Sequence, residues 1–287
     1  MQADLSIDCR NQHGEGVLWN PEDGCVWWTD IHGQAMWWHN PEKGTSGSYP
    51  LSRRLCAFAP RRNGGWIMAF EDAVELWTKA RVQESVLHRF EPDNKETRLN
   101  DGHLDRFGNF VVGGMNEETG KADSTVIRVR ADLEIEILIK GVSCANSTCF
   151  SPDGKTMYFA DTTEKFIRAY PYSKFGLGAP VIHADMRSEP GLPDGSCVDA
   201  EGGIWNAQWE GSQVVRFDKN GHLTHRITLP VSRVTCCTFG GPNLATLYIT
   251  TSRLMASPDE LERSPLSGSL FEVRPGFVGI TEIPFDT

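Results

Sequence analysis

The chain has 287 residues, 39% of them hydrophobic, with nine Trp, 28 Gly and a formal net charge of −10. That acidity, with no basic run or stripe, argues against a nucleic-acid partner, and no apolar run approaches the roughly 18 residues of a membrane helix. Abundant Gly and Trp favour many short strands and tight turns over long helices.

Met1 to Arg10 carries acidic residues and no apolar stretch, so it does not read as a signal peptide and a cytoplasmic location is expected. The eight cysteines include no C-x-x-C pair. In such a chain reduced, buried thiols are expected rather than a disulfide framework.

In chain order, apolar strand cores occur at Val26–Thr29, Trp66–Ala69, Phe110–Gly113, Met157–Ala160, Ile204–Ala207 and Leu247–Thr250. Their anchors Trp28, Trp66, Phe110, Tyr158, Trp205 and Tyr248 are 38, 44, 48, 47 and 43 residues apart. A second alternating segment follows each, from Met36–Trp38 to Leu270–Val273, and a Gly-containing turn precedes most. A repeat of about 40–50 residues holding about four short strands is the signature of a β-propeller blade. The predicted fold is therefore all-β, a six-bladed β-propeller with four-stranded blades around a central channel. No linker divides the chain, so residues 1–287 are read as one domain. A pair of β-sandwiches would not return to one motif six times, and the Gly-His…Trp-Asp marks of WD40 blades are missing. Leu5 to Cys9 is expected to add a strand beside the C-terminal ones, and Ser257 to Arg263 to form one short helical turn.

Aligning the units on their turn glycines brings Glu15, Asn100, Asn146 and Asp194 into one register. Cys56 fills that position in the second unit, and Cys236 is expected there in the sixth. The first strand of a propeller blade lines the channel, so these positions are expected to ring the axis near one rim. Two carboxylates and two amides are hard oxygen donors that suit Ca²⁺, Mg²⁺, Mn²⁺ or Fe²⁺; Zn²⁺ is admissible but prefers N or S. Each residue alone has an ordinary reading as a turn former; four in one register favour a shared site. Asp153, in Pro152-Asp153-Gly154, falls in the turn register and is read as structural. The loops after the second strands share the face of Asp194. They offer Glu117 or Glu118 as a further carboxylate and Trp209 as a stacking surface. Arg98, two residues before Asn100, offers donors to substrate oxygens. Each of these also has a plain alternative as a loop acid, a packing ring or a surface ion pair.

The segments Gly14-Glu15-Gly16…Trp19, Arg98-Leu99-Asn100-Asp101-Gly102, Gly114-Met115, Asn146…Phe150-Ser151-Pro152-Asp153-Gly154, Pro193-Asp194-Gly195 and Phe239-Gly240-Gly241 run in order across nearly the whole chain. On these segments the sequence resembles the SMP-30/gluconolactonase/regucalcin family. The resemblance implies one divalent metal (Ca, Zn, Mn, Mg or Fe) held by Glu15, Asn146 and Asp194. It implies substrate contacts at Arg98, Asn100 and either Glu117 or Glu118; Asp194, as ligand or close neighbour of the metal, is further expected to act as general base. Val17 stands where the family usually has Pro, and Ser147 where it usually has Gly. The run from Arg98 to Gly102 looks most like the aldonolactonase branch. The implied activity is hydrolysis of a sugar lactone in carbohydrate metabolism, by a monomer with no nucleic-acid or membrane partner. The competing expectation is a calcium-binding, regucalcin-like propeller with a structural metal and a protein-binding face. Paraoxonase- or strictosidine-synthase-like propellers share the fold but not this donor set.

Overall fold

The computed structural model describes residues 1–287 and is almost entirely β. Six antiparallel sheets follow one another along the chain, at residues 14–50, 55–89, 97–142, 145–185, 192–228 and 234–273. They are the six blades of a β-propeller. Five have four strands, and blade 4 carries an additional two-residue strand, Gly176–Leu177, on its third strand. The apolar cores of the sequence are the second strands and the alternating segments are the third. The outer strands have alternating or mostly exposed patterns, as in Thr45–Pro50 and Leu223–Thr228, because only their inner faces have a neighbour to cover. The turns joining first and second strands reverse at Gly24, Gly108, Gly154 and Gly202, with φ of 65°, 79°, 69° and 83°, a region open to glycine without Cβ strain.

The blades gather into two compact units. The first comprises Met1–Arg54 with Met186–Thr281 and holds blades 1, 5 and 6. Its cores include Trp28, Val26 and Tyr248 in one cluster and Trp205, Val214, Ile249 and Phe271 in another. The strand expected near the N-terminus forms at Asp4–Ile7 and pairs antiparallel with Leu270–Val273, completing blade 6 with a segment from the other end of the chain. The expected helical turn forms at Pro258–Arg263. Ser257 caps it, accepting from Glu260 N while the Glu260 side chain accepts from Ser257 N.

The second unit comprises Leu55–Asp185 with Glu282–Thr287 and holds blades 2, 3 and 4. Val111, Val126, Phe150, Phe159 and Tyr172 are among its core residues. Phe285 is fully buried, and its N–H donates to Pro60 O at 2.9 Å, which ties the C-terminal segment to blade 2. The eight cysteines are free thiols.

One irregularity recurs in all six blades. The pairing of first and second strands slips by a residue between Glu15 and Leu18, Leu55 and Ala57, Leu99 and Asp101, Asn146 and Cys149, Pro193 and Ser196, and Val234 and Cys236. Each slip is a β-bulge, which bends a strand and re-aims its side chains. All six fall at or directly beside the register position singled out in the sequence. In blades 2, 3 and 6 the extra residue is Cys56, Asn100 and Thr235. The sixth position therefore belongs to Thr235 and not to Cys236, because the bulge inserts a residue that counting from the turn does not see.

Candidate active site

In the first unit, the first strands of blades 5, 6 and 1 neighbour one another. Asp194 and Glu15 occupy the outer two. Both carboxylates are in buried residues, at 5% and 8% exposure, where a charge requires a compensating partner. Gly16 N donates to Glu15 Oε2 at 2.9 Å. The Asp194 bulge is braced through its main chain, where Asn206 Nδ2 donates to Asp194 O at 2.9 Å and to Ser196 Oγ at 3.0 Å. Between them, the Thr235 hydroxyl donates to Gly14 O at 2.5 Å and tethers blade 6 beside Glu15.

The same end of this unit carries an aromatic and cationic group. Trp209 ends the second strand of blade 5 and pairs with Leu192, two residues before Asp194. Its ring meets the edge of His13 at 5.6 Å and lies under the Arg233 guanidinium at 5.7 Å. Arg233 is anchored by Glu210 at 3.4 Å and Glu260 at 3.6 Å, the latter on the helix of blade 6. His13 Nδ1 lies 2.9 Å from Ser252 Oγ. Sequence reasoning flagged Trp209 and missed His13 and Arg233. The signal was present: His13, Arg98 and Arg233 each stand two residues before the repeated position, once the sixth is taken as Thr235.

In the second unit, the first strands of blades 2, 3 and 4 are neighbours, and a continuous polar network joins four of the expected residues. Arg98, 5% exposed, donates from Nε to Glu117 Oε1 at 2.8 Å, and from Nη1 to Asn100 Oδ1 and Leu99 O, both at 2.9 Å. Asn100 Nδ2 donates to Ala145 O at 2.9 Å, the carbonyl directly before Asn146. Asn146, 5% exposed, donates from Nδ2 to Thr162 Oγ1 at 2.8 Å. The same nitrogen lies 3.8 Å from Cys144 Sγ. Of the two glutamates, Glu117 pairs with Arg98, whereas Glu118 is exposed. Asp101 Oδ2 accepts from Thr148 N at 2.9 Å. Protein packed around it pushes the Asp101 carboxyl above the ordinary aspartate range by desolvation.

Asp153 does what the turn register implied. Its Oδ1 accepts from Ser151 Oγ and Lys155 N, at 2.7 and 3.0 Å. His103 contacts Leu104 O and Glu282 instead of any of the expected site residues.

By donor chemistry alone, the carboxylates of Glu15 and Asp194 and the amide oxygen of Asn146 are hard oxygen groups of the kind a divalent cation takes. No three His, Cys, Asp or Glu side chains converge as a metal cluster, but a set with only two carboxylates is of a different kind.

Fold and donors together define a class: a six-bladed propeller whose bulged first strands carry buried acid and amide side chains at one repeated position. The chain belongs to the SMP-30/gluconolactonase/LRE-like family, whose family model matches residues 13–253. It is 34% identical over 295 residues to the L-arabinolactonase of Azospirillum brasilense, covering 99% of this chain and 95% of that one. It is 30% identical to the 6-deoxy-6-sulfogluconolactonase of Pseudomonas putida, covering 94% and 93%. Among solved structures, a calcium-binding regucalcin from Agrobacterium tumefaciens matches with a TM-score of 0.94 at 27% identity, covering 99% of this chain and 97% of that one. The family thus includes sugar lactonases and regucalcins.

Proposed function

We propose that this chain is a cytoplasmic, monomeric sugar lactonase of carbohydrate metabolism, opening an aldonolactone to the aldonic acid with one divalent metal. The observation that carries the reading is the buried acid or amide at the bulged position of three first strands, at Glu15, Asn146 and Asp194. Relatives named as lactonases over nearly the full length support it.

Glu15, Asn146 and Asp194 would hold the cation, which supplies Lewis-acid polarisation of the lactone carbonyl when bound. Asp194 takes a proton from the attacking water as general base. Water oxygen bonds to the carbonyl carbon, the ring C–O bond breaks, and the proton passes to the departing ring oxygen. Asn100 keeps one amide hydrogen and one lone pair beyond the bonds it makes to Ala145 and Arg98, enough to orient a sugar hydroxyl. Arg98 fixes Glu117, whose carboxylate would accept from another sugar hydroxyl. Trp209, steadied by His13 and Arg233, offers a face to the sugar C–H bonds.

The test is acid release from a panel of pentono- and hexonolactones, each with Ca²⁺, Mg²⁺, Mn²⁺, Fe²⁺ or Zn²⁺ added. At least one pairing is expected to turn over. Asp194→Asn should lower kcat by ~10²–10⁴-fold while the melting temperature holds. Near-normal turnover in that variant removes Asp194 as the base, and a silent panel overturns the function. The likeness to a calcium-binding regucalcin keeps a second reading in play, a structural metal with a protein-binding role.

A further inference from the structure

Asn146 lies beside a β-bulge in its own strand. Pairing slips between Asn146 and Cys149, and Ser147 inside the slip has φ of 61°. For a residue with a side chain, that left-handed backbone is disfavoured. Neighbouring blade 3 grips the segment from both sides. Asn100 Nδ2 donates to Ala145 O, one residue before Asn146, at 2.9 Å. Thr148 N, two residues after it, donates to Asp101 Oδ2, also at 2.9 Å.

Two consecutive residues of a regular strand point to opposite faces and could not both address the same neighbour. Here they do, because blade 3 has its own slip between Leu99 and Asp101. One bulge thus clamps another. Asn100 is in turn fixed by Arg98, and Asn146 by Thr162, so each group that meets the clamp is itself held.

We propose that Asp101 is a positioning residue for the metal site: by accepting from Thr148 N it holds the Asn146 bulge in the conformation that presents the amide oxygen to the cation. Asp101 acts through hydrogen-bond acceptance, neither by its charge nor as a ligand. This rests on the reading of Asn146 as a ligand, so the experiment separates the two.

Mn²⁺ affinity of the metal-free protein is measured by the paramagnetic resonance signal of free Mn²⁺, alongside the melting temperature, for wild type, Asp101→Ala, Asp101→Asn, Asp101→Glu and Asn146→Ala. Removing a group that orients a metal ligand weakens binding by ~10–100-fold, and that loss is expected for Asp101→Ala. Asp101→Asn keeps an oxygen in reach of Thr148 N and should stay within about threefold of wild type on the same grounds. Asp101→Glu keeps the charge but displaces the oxygen by a methylene, and should bind more weakly than Asp101→Asn. If Asp101→Ala does not fold, the Asn and Glu variants still decide, since a charge effect reverses their order. Wild-type affinity in Asp101→Ala overturns the clamp, as does an Asn variant no tighter than the Glu variant. Unchanged binding in Asn146→Ala overturns the ligand reading itself and the clamp with it.

Discussion

Asp105, Asp153 and Asp199 sit in the turns between first and second strands, where one carboxylate oxygen collects nearby donors. Asp105 Oδ1 accepts from Phe107 N and Asn109 N, and Asp199 Oδ1 from Glu201 N and Gly203 N. Asp199 goes further: its Oδ2 accepts from Arg216 Nε at 2.7 Å and Trp205 Nε1 at 2.8 Å, and the residue is fully buried. Arg216 is 4% exposed and lies over Phe277 at 4.1 Å, and its other carboxylate contact, Glu201 at 3.4 Å, is longer and solvent-exposed. Deleting one member of a buried pair strands the other, at about 3–5 kcal/mol. Asp199→Ala is therefore expected to lose roughly that much stability in urea denaturation, with the metal affinity of the folded fraction unchanged. A variant as stable as wild type would sink this assignment. Asp194→Asn should do the reverse, sparing stability and removing turnover. The two aspartates differ in neither type nor burial; they differ in which end of the first strand they occupy.

The bulge is the element that turns a repeated position into a site. Gly195 shows how closely the strands around it are set. It sits inside a strand and reverses no turn. A Cβ there would stand 2.5 Å from Cys236 Sγ and 2.9 Å from Cys236 Cα, and main chain cannot rotate away. Gly195→Ala is expected to push the first strands of blades 5 and 6 apart, costing about 1–3 kcal/mol as overpacking does. Because Asp194 precedes it, Mn²⁺ affinity should fall together with the melting temperature; a variant that melts early but binds normally would uncouple the strand spacing from the site. In the sequence, Pro193-Asp194-Gly195 looks like a turn, and only the strand register shows otherwise. The six blades were legible because burial on both faces leaves periodic apolar cores, such as Val26–Thr29 and Leu247–Thr250. The bulges were not, since a slip exists only relative to a partner strand, and for that reason counting from the turn lands on Cys236 where the structure has Thr235. Glu117 and Glu118 were indistinguishable for a related cause. They follow the end of a second strand at Asn116, where pleat parity no longer dictates direction, and the Arg98 guanidinium makes the choice.

At the scale of the whole molecule, the enzyme and structural-metal readings part on what holds the fold together. Each unit has an apolar core of its own, around Trp205, Val214 and Phe271 in one and Val111, Phe150 and Phe159 in the other. Blade 6 is fastened by the N-terminal strand at Asp4–Ile7, and blade 2 by Phe285. A ligand that binds only the folded state adds RT ln(1 + [L]/Kd), about 2.7 kcal/mol at a hundredfold excess over Kd. Chelation should therefore abolish lactone hydrolysis while lowering the melting temperature by no more than this mass-action term, a shift that grows logarithmically with added metal. For a chain of this size that is several degrees, taking ~2–4 °C per kcal/mol. A structural metal behaves differently, since its binding energy is then folding energy and the metal-free chain unfolds without heating. Scanning the melting temperature and the hydrolysis rate across one metal titration separates the two. Activity that rises with occupancy on a scaffold already folded is the expected result; a scaffold that folds only as the metal binds would favour the regucalcin-like reading, and activity indifferent to chelation would remove the metal from the mechanism.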